Sequence, residues 1–143
     1  MSELAAPAWA LERLAEARVA RLATAGGGEA VEPTVVPVCF VLHDGRIYSP
    51  IDGKPKTTRR LRRVRDLERN PNATLLVDHY EEDWRRLWWI QVRGRARLIA
   101  GNDAAAALEH LRACYLQYGE VSVGPEVICL EPDRFVTWRS TAP

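Results

Sequence analysis

Asp44-Gly45 stands between an apolar run, Val38 to His43, and a return segment, Arg46 to Pro50. An Asp-Gly pair takes up the positive backbone angles of a tight primed turn at little cost, so this region is expected to fold back on itself as a β-hairpin. Looser turn signals recur along the chain. Gly26-Gly27-Gly28-Glu29 separates an alternating run, Val19 to Ala25, from a second strand-like run at about Ala30 to Val36. Pro33 and Pro37 cannot donate to a ladder, so they mark sheet edges, bulges or a place where the sheet opens. Ala73 to His79 reads as a further strand. Leu87 to Ala100 reads as a long one with a bend or bulge at Gly94. Along it, Trp89, Gln91, Arg93, Arg95 and Arg97 share one face, and Trp88, Ile90 and Val92 share the other. Pro132-Asp133 divides Val127 to Glu131 from Arg134 to Arg139.

Helical patterning is confined to three places. Pro7 to Arg18 would bury a face with Trp9, Leu11, Leu14 and Ala15, and about Lys56 to Asn70 would bury Leu61, Val64 and Leu67. Ala104 to Tyr118, capped by Asn102 or Asp103, would turn Leu108, Leu111, Cys114 and Tyr115 inward. Six or seven strands, mostly hairpin-connected and not alternating one-for-one with about three helices, argue against a doubly wound parallel sheet. The expected architecture is mainly β with flanking helices (α+β), a small antiparallel barrel with helices packed outside. The 143 residues suffice for a single domain, 1–143, with its own core.

Charge is unevenly placed. The net charge is only +1, yet Lys54, Lys56, Arg59, Arg60, Arg62, Arg63, Arg65 and Arg69 supply eight of the 20 basic residues. They lie in a Pro/Gly loop and the helix that follows it, against only Asp66 and Glu68. A loop feeding a helix N-terminus offers free backbone N–H groups and a positive dipole end. Lys54, Lys56 and the Thr57 hydroxyl at that point suit an anion, above all a phosphate, with Arg59 or Arg60 behind them. The bland alternative is a solvated basic loop, since no Walker-type or GxGxxG pattern is present. Nucleic acid is not expected as a partner, because no helix-turn-helix, zinc-finger or RNP motif accompanies the basic residues.

Other chemistries find little support. His43, His79 and His110 lack metal-ligand spacing, so no metal site is expected, and only His79, beside Asp78, is kept as a site candidate. No GxSxG elbow is present. Cys39, Cys114 and Cys129 form no CxxC pair and sit in apolar runs, which reads as reduced core thiols in a cytoplasmic protein. No apolar run approaches the roughly 20 residues of a membrane span. Trp84, Trp88 and Trp89 crowd into six residues; Trp88 reads as core or interface, whereas nothing near Trp84 explains it as core. Any enzyme built this way would rely on a bound cofactor for its chemistry, and no catalytic side chain is identified.

The ordered motifs resemble a known family. They are Leu22-Ala23-Thr24, Pro37-Val38-Cys39-Phe40, Asp44-Gly45, Ile47-Tyr48-Ser49, Lys54-Pro55-Lys56-Thr57, the basic helix, Arg69-Asn70-Pro71 and Leu75-Leu76-Val77. Over residues 10 to 138 the chain resembles the pyridoxamine 5'-phosphate oxidase-like superfamily of split β-barrel, FMN-binding-like proteins. The segment Asp78-His79-Tyr80-Glu81-Glu82-Asp83-Trp84 with Leu87-Trp88-Trp89 is similar to an actinobacterial subgroup that uses the deazaflavin coenzyme F-420. The resemblance implies a homodimer with two cofactors in clefts at the interface. It places Lys54, Lys56 and Thr57 on the cofactor phosphate, and Tyr48, Ser49 and Pro50 along the ring system. Thr34, Val36 and Pro37 belong to the strand whose backbone faces the reactive edge of the ring. Trp84 lies in a loop that closes on the cofactor, and Arg60 reaches the phosphate or the oligoglutamyl tail. The implied activity is hydride transfer between reduced F-420 and a small unsaturated or quinone-like substrate. FMN as the cofactor, or a carrier without turnover, are the alternatives. The C-terminal vitamin B6 signature of the oxidase itself is absent.

Overall fold

The fold comes from a computed structural model, which describes residues 5–52, 61–121 and 123–141. In chain order the elements are α1 (Ala8–Glu16), β1 (Ala20–Thr24), β2 (Thr34–Val38), β3 (Val41–His43), β4 (Arg46–Asp52) and α2 (Arg62–Arg69). There follow β5 (Asn72–His79), β6 (Trp88–Ile99), α3 (Asn102–Cys114) and β7 (Val123–Arg139). The strands form one antiparallel sheet in the order β2-β1-β5-β6-β7-β4-β3.

That order dictates the shape. β2 and β3 lie at opposite edges of the sheet, yet only Cys39 and Phe40 separate them in sequence. Six inter-strand gaps of a flat sheet span about 29 Å, whereas three residue steps reach roughly 10 Å. The sheet therefore curls until its edges nearly meet, as a half-barrel. Among the described residues no ladder joins β2 to β3, so the seam is held by side chains. The Tyr115 hydroxyl accepts from Phe40 N–H at 3.0 Å. It also lies 2.8 Å from the Phe40 carbonyl and 3.0 Å from that of Arg18, either of which can take its proton. Ser49 Oγ donates to the Cys39 carbonyl at 2.9 Å.

The barrel interior holds Leu22, Phe40, Ile47, Leu75, Ile90, Val92, Ile128 and Leu130, all buried. α1 closes one end with Ala10 and Leu14, and α2 closes the other with Val64 and Leu67. α3 lies on the outer surface, where Ala104, Ala107 and Leu108 pack against Ile99, Val127 and Cys129.

Several expectations shift. The two strands expected at 127–131 and 134–139 are one strand, β7. The register steps from Arg93↔Arg134 to Gly94↔Pro132, so Asp133 is an extra residue in a bulge. A bulge tolerates a residue without an N–H, and Pro132 bends the strand there without ending it. Gly94 is needed opposite, because a Cβ would stand 2.0 Å from the Glu131 carbonyl oxygen. β2 starts later than expected and runs through Pro37, which an edge strand permits. Leu61 is 40% exposed, not buried, because it is extended (φ −60°, ψ 147°) and the helix begins after it. In α1 the buried pair is Ala10 and Leu14; Leu11 and Ala15 face outward. Gly101, at φ 62°, precedes α3 in the capping position expected for Asn102 or Asp103. The expected faces of β6 are observed, with Ile90 and Val92 inward and Arg93, Arg95 and Arg97 exposed.

One buried charge fixes α2. Asp66 is only 5% exposed. It accepts from Thr24 Oγ1 (2.9 Å), Thr34 Oγ1 (3.1 Å) and Arg62 Nε (3.1 Å), which ties the helix to β1 and β2. Burial pushes the carboxyl up, but the bonds from Thr24, Arg62 and Thr34 together outweigh it and hold its pKa below the ordinary value. Gly26 makes room: its φ is +69°, and a Cβ there would meet Asp66 Oδ1 at 2.9 Å.

Two outcomes are expected from this arrangement. Tyr115→Phe leaves the buried Phe40 N–H unsatisfied and should cost about 1–3 kcal/mol in urea unfolding; an unchanged midpoint would remove the clamp role. A depressed folded pKa means that Asp66 contributes fully above its ordinary pKa near 3.8 and loses the contribution as pH falls through the folded value. The stability gap between the native chain and Asp66→Asn should therefore be widest at neutral pH and shrink in acid, read by thermal unfolding across a pH series. A gap independent of pH would show that the ionised carboxylate is not the fastening.

Candidate functional site

α2 carries its arginines along the barrel end that it closes. Arg62, Arg65 and Arg69, together with Gly26, Gly27 and Glu32, line a cavity of about 660 Å3. Arg62 is committed, with Nε on Asp66 and NH2 on Glu32 Oε1 at 3.2 Å. Arg65 and Arg69 are exposed and make no ion pair among the described residues. These two guanidinium groups thus line a recess together with the 25–32 segment, which includes Gly26 and Gly27, and with Glu68. Among the described residues no side chain caps α2, whose N-cap is Leu61. This end can hold an anion.

The loop that delivers the chain to this helix contains Lys54, Lys56, Thr57 and Arg60, which lie outside the described residues. Its two flanks are defined. β4 brings the chain up to Asp52, and α2 takes it on from Arg62. Thr34 belongs to the same corner through its bond to Asp66. Farther along edge strand β2, Val36 is half-buried against the interior and Pro37 is exposed.

On β4 the alternation separates the next candidates. Ser49 is buried and spends its hydroxyl on the seam. Pro50 is buried opposite Val127. Tyr48 packs beneath α3, beside Cys129. Burial, then the neighbouring Cys129, pushes the Tyr48 phenol up, and burial likewise raises the Cys129 thiol. Neither group is poised as a nucleophile or base near neutrality.

Trp84 lies elsewhere. It is 66% exposed, in a 3-10 turn (Trp84–Arg86) after β5, and its indole N–H donates to the Tyr80 hydroxyl at 3.4 Å. β5 alone carries the chain about 25 Å from the foot of α2 to this loop. One chain does not bring Trp84 to the basic corner. The loop is laced by charge pairs: Arg85 forks onto Asp83 (2.9 and 3.0 Å), Arg86 Nε donates to Glu81 (3.1 Å), and His79 Nε2 donates to Glu81 (2.5 Å). Hydrogen bonds from His79 and then Arg86 hold the Glu81 carboxyl below its ordinary pKa. His43 and His110, assigned to turn and helix surface, meet with ring centroids 4.0 Å apart and planes tilted by 34°.

Sequence reasoning missed Asp66, because an acid among six arginines reads as surface. The Arg62/Asp66 spacing of i, i+4 and the nearby glycine triplet were the available signals. Among the described residues no cluster of three or more His, Cys, Asp or Glu side chains could hold a metal ion.

The fold and its motifs have relatives. Among solved structures, the FAD binding protein from Mycobacterium smegmatis aligns with a TM-score of 0.62 at 14% identity, covering 94% of each chain. A FAD-binding protein from Mesorhizobium loti aligns at 0.66 and 18% identity, covering 92% of this chain and 94% of the other. HutZ, a heme storage protein from Vibrio cholerae, aligns at 0.68 and 15% identity, covering 90% and 89%. At such identities the likeness concerns the fold alone. Among curated proteins none matches the chain. The family model described as pyridoxamine 5'-phosphate oxidase matches residues 8–139, nearly the whole domain. The chain thus belongs to the pyridoxamine 5'-phosphate oxidase family.

Proposed function

We propose that the chain is an F-420-dependent oxidoreductase that works as a homodimer and passes a hydride between the reduced deazaflavin and a small unsaturated or quinone-like substrate. The observation that carries this reading is the uncommitted positive charge of Arg65 and Arg69 beside the cavity at the α2 end. F-420 bears a phosphate and an anionic oligoglutamyl tail, and a row of guanidinium groups suits such a polyanion better than a single phosphate. When bound, the deazaflavin supplies the hydride chemistry. The chain's own work is binding and orientation. Lys54, Lys56 and Thr57 hold the phosphate, with Arg60, Arg65 and Arg69 along the tail. Thr34, Val36 and Pro37 of β2 and Tyr48, Ser49 and Pro50 of β4 supply the strands beside the ring, and Trp84 of the second subunit covers it.

The dimer reading has support of its own. The outer face of β2-β1-β5-β6 and the adjoining part of β7 carries Val35, Leu76, Trp89, Val136 and Trp138, none of them fully buried. Trp89 and Trp138 are directly paired across β6 and β7. A second copy covering this face would remove that apolar surface from water.

A flavin cofactor is the second reading, favoured by the two structural relatives named as FAD-binding. Fluorescence titrations with F-420 and with FMN, at low and high salt, separate the two. Tight, salt-sensitive F-420 binding with weak FMN binding is expected. Lys56→Ala should weaken F-420 by roughly 1.5–3 kcal/mol, about ten- to a hundredfold in Kd. Tight FMN binding alone would move the protein to the flavin reading, and binding of neither would overturn both.

A further inference from the structure

The barrel end closed by α1 carries a second basic recess, about 30 Å along β6 from the α2 end. It is a cleft of about 560 Å3 with Trp88 and Leu87 beneath it. Arg13, Arg85, Arg86 and Arg139 surround it, and among the described residues Glu81 is the one acid that lines it. Two of these cations are already neutralised, Arg85 by Asp83 and Arg86 by Glu81. The other two are held differently. The Arg13 guanidinium carbon sits 5.3 Å from the centroid of the Trp88 ring, and that of Arg139 sits 5.0 Å from Trp9. The two indoles meet edge-on, with centroids 6.3 Å apart and planes at 70°. His79 stacks on Trp88, nearly parallel at 16°.

A guanidinium held over an indole by its charge needs no carboxylate partner, so its N–H groups stay available to an anion. Arg139 makes no ion pair among the described residues, and Arg13 has only a 3.9 Å approach to the exposed Glu16. Tryptophan thus orients both side chains without neutralising them. That is the pre-organised fork which recognises planar or tetrahedral oxyanions, with the ordering entropy already spent. Arg13 and His79 both lie against the Trp88 ring, so the cleft offers donors in preference to a stacking platform.

From this geometry we propose that the α1-end cleft is a binding site for a small oxyanionic ligand, a phosphate or carboxylate group held between Arg13 and Arg139. Within one chain the site is separate from the α2 corner, and neither Arg13 nor Arg139 is assigned to the cofactor.

The test is calorimetric titration of the full chain with inorganic phosphate and, separately, with citrate, ionic strength being held constant with sodium chloride. Saturable binding of either anion is expected. Binding of phosphate alone, or of citrate alone, supports the proposal and identifies which oxyanion the cleft prefers. R13Q and R139Q should each weaken it about tenfold or more. Thr141→Glu, at the exposed rim, should weaken it as well by placing a carboxylate in the cleft while leaving both stacks intact; thermal unfolding of each variant verifies the fold. No saturable heat for either anion would overturn the proposal. So would affinity unchanged in folded R13Q, R139Q and Thr141→Glu. Loss of binding in Arg65→Gln without loss in R13Q would overturn it too, by moving the anion to the α2 corner.

Discussion

A two-residue crossing governs this structure. Cys39 and Phe40 link strands at opposite edges of a seven-stranded sheet, and no flat arrangement permits that. Curvature is imposed by connectivity, and everything else accommodates it. The interior becomes a closed apolar core, the two ends need helical lids, and the seam needs polar fastening. Tyr115 supplies most of that fastening from the end of α3, so the outer helix is tied to the barrel by hydrogen bonds as well as by Leu111 and Val41. Arg18 completes the clamp, with its guanidinium 4.4 Å over the Tyr115 ring and one N–H on the Cys114 carbonyl at 2.8 Å.

How much of this was legible in the sequence depends on whether the signal was local. Asp44-Gly45 announced the hairpin because its turn geometry is intrinsic to the two residues. The alternation of β6 announced which side faces the core because a pleat has period two. Pro132-Asp133 misled because a proline in a bulge and a proline in a turn look alike until the partner strand is known. Asp66 was illegible for a similar reason. Its burial depends on Thr24 and Thr34, 42 and 32 residues away, and on the absence of a Cβ at Gly26. The candidate site divides in the same way. Its basic composition was visible at once, whereas the partition into committed Arg62 and uncommitted Arg65 and Arg69 required the fold. The segment 53–60, on which the phosphate expectation rests most heavily, lies outside the described residues.

The two ends of the barrel dispose of positive charge by different means. At the α2 end, Asp66 and Glu32 take up one arginine and leave two lining the recess. At the α1 end, aspartate and glutamate take up two, and indole rings position the others. Carboxylate pairing neutralises as it orients, whereas aromatic stacking orients alone. A chain with a net charge of +1 can therefore present concentrated positive potential at two places, because its acids are spent locally and unevenly.

The seam also has a kinetic meaning. β4 pairs with β7 across some 80 residues of chain (Ile47 with Leu130, for instance), and β1 pairs with β5 across some 50 (Leu22 with Leu75). The β2-to-β3 link is short in every state of the chain, so the curl it demands is complete only once those distant ladders have assembled. Such long-range pairing places the entropy of loop closure before its reward and slows assembly. Among the described residues no ladder covers the outer edge of β2, so this strand, with Val35 pointing outward, presents an unpaired backbone to any other strand nearby. The hairpin that is simplest to form, β3–β4, joins the sheet only through the long-range β4–β7 ladder, and the interval before that ladder forms is when this chain is most exposed to pairing with the wrong partner.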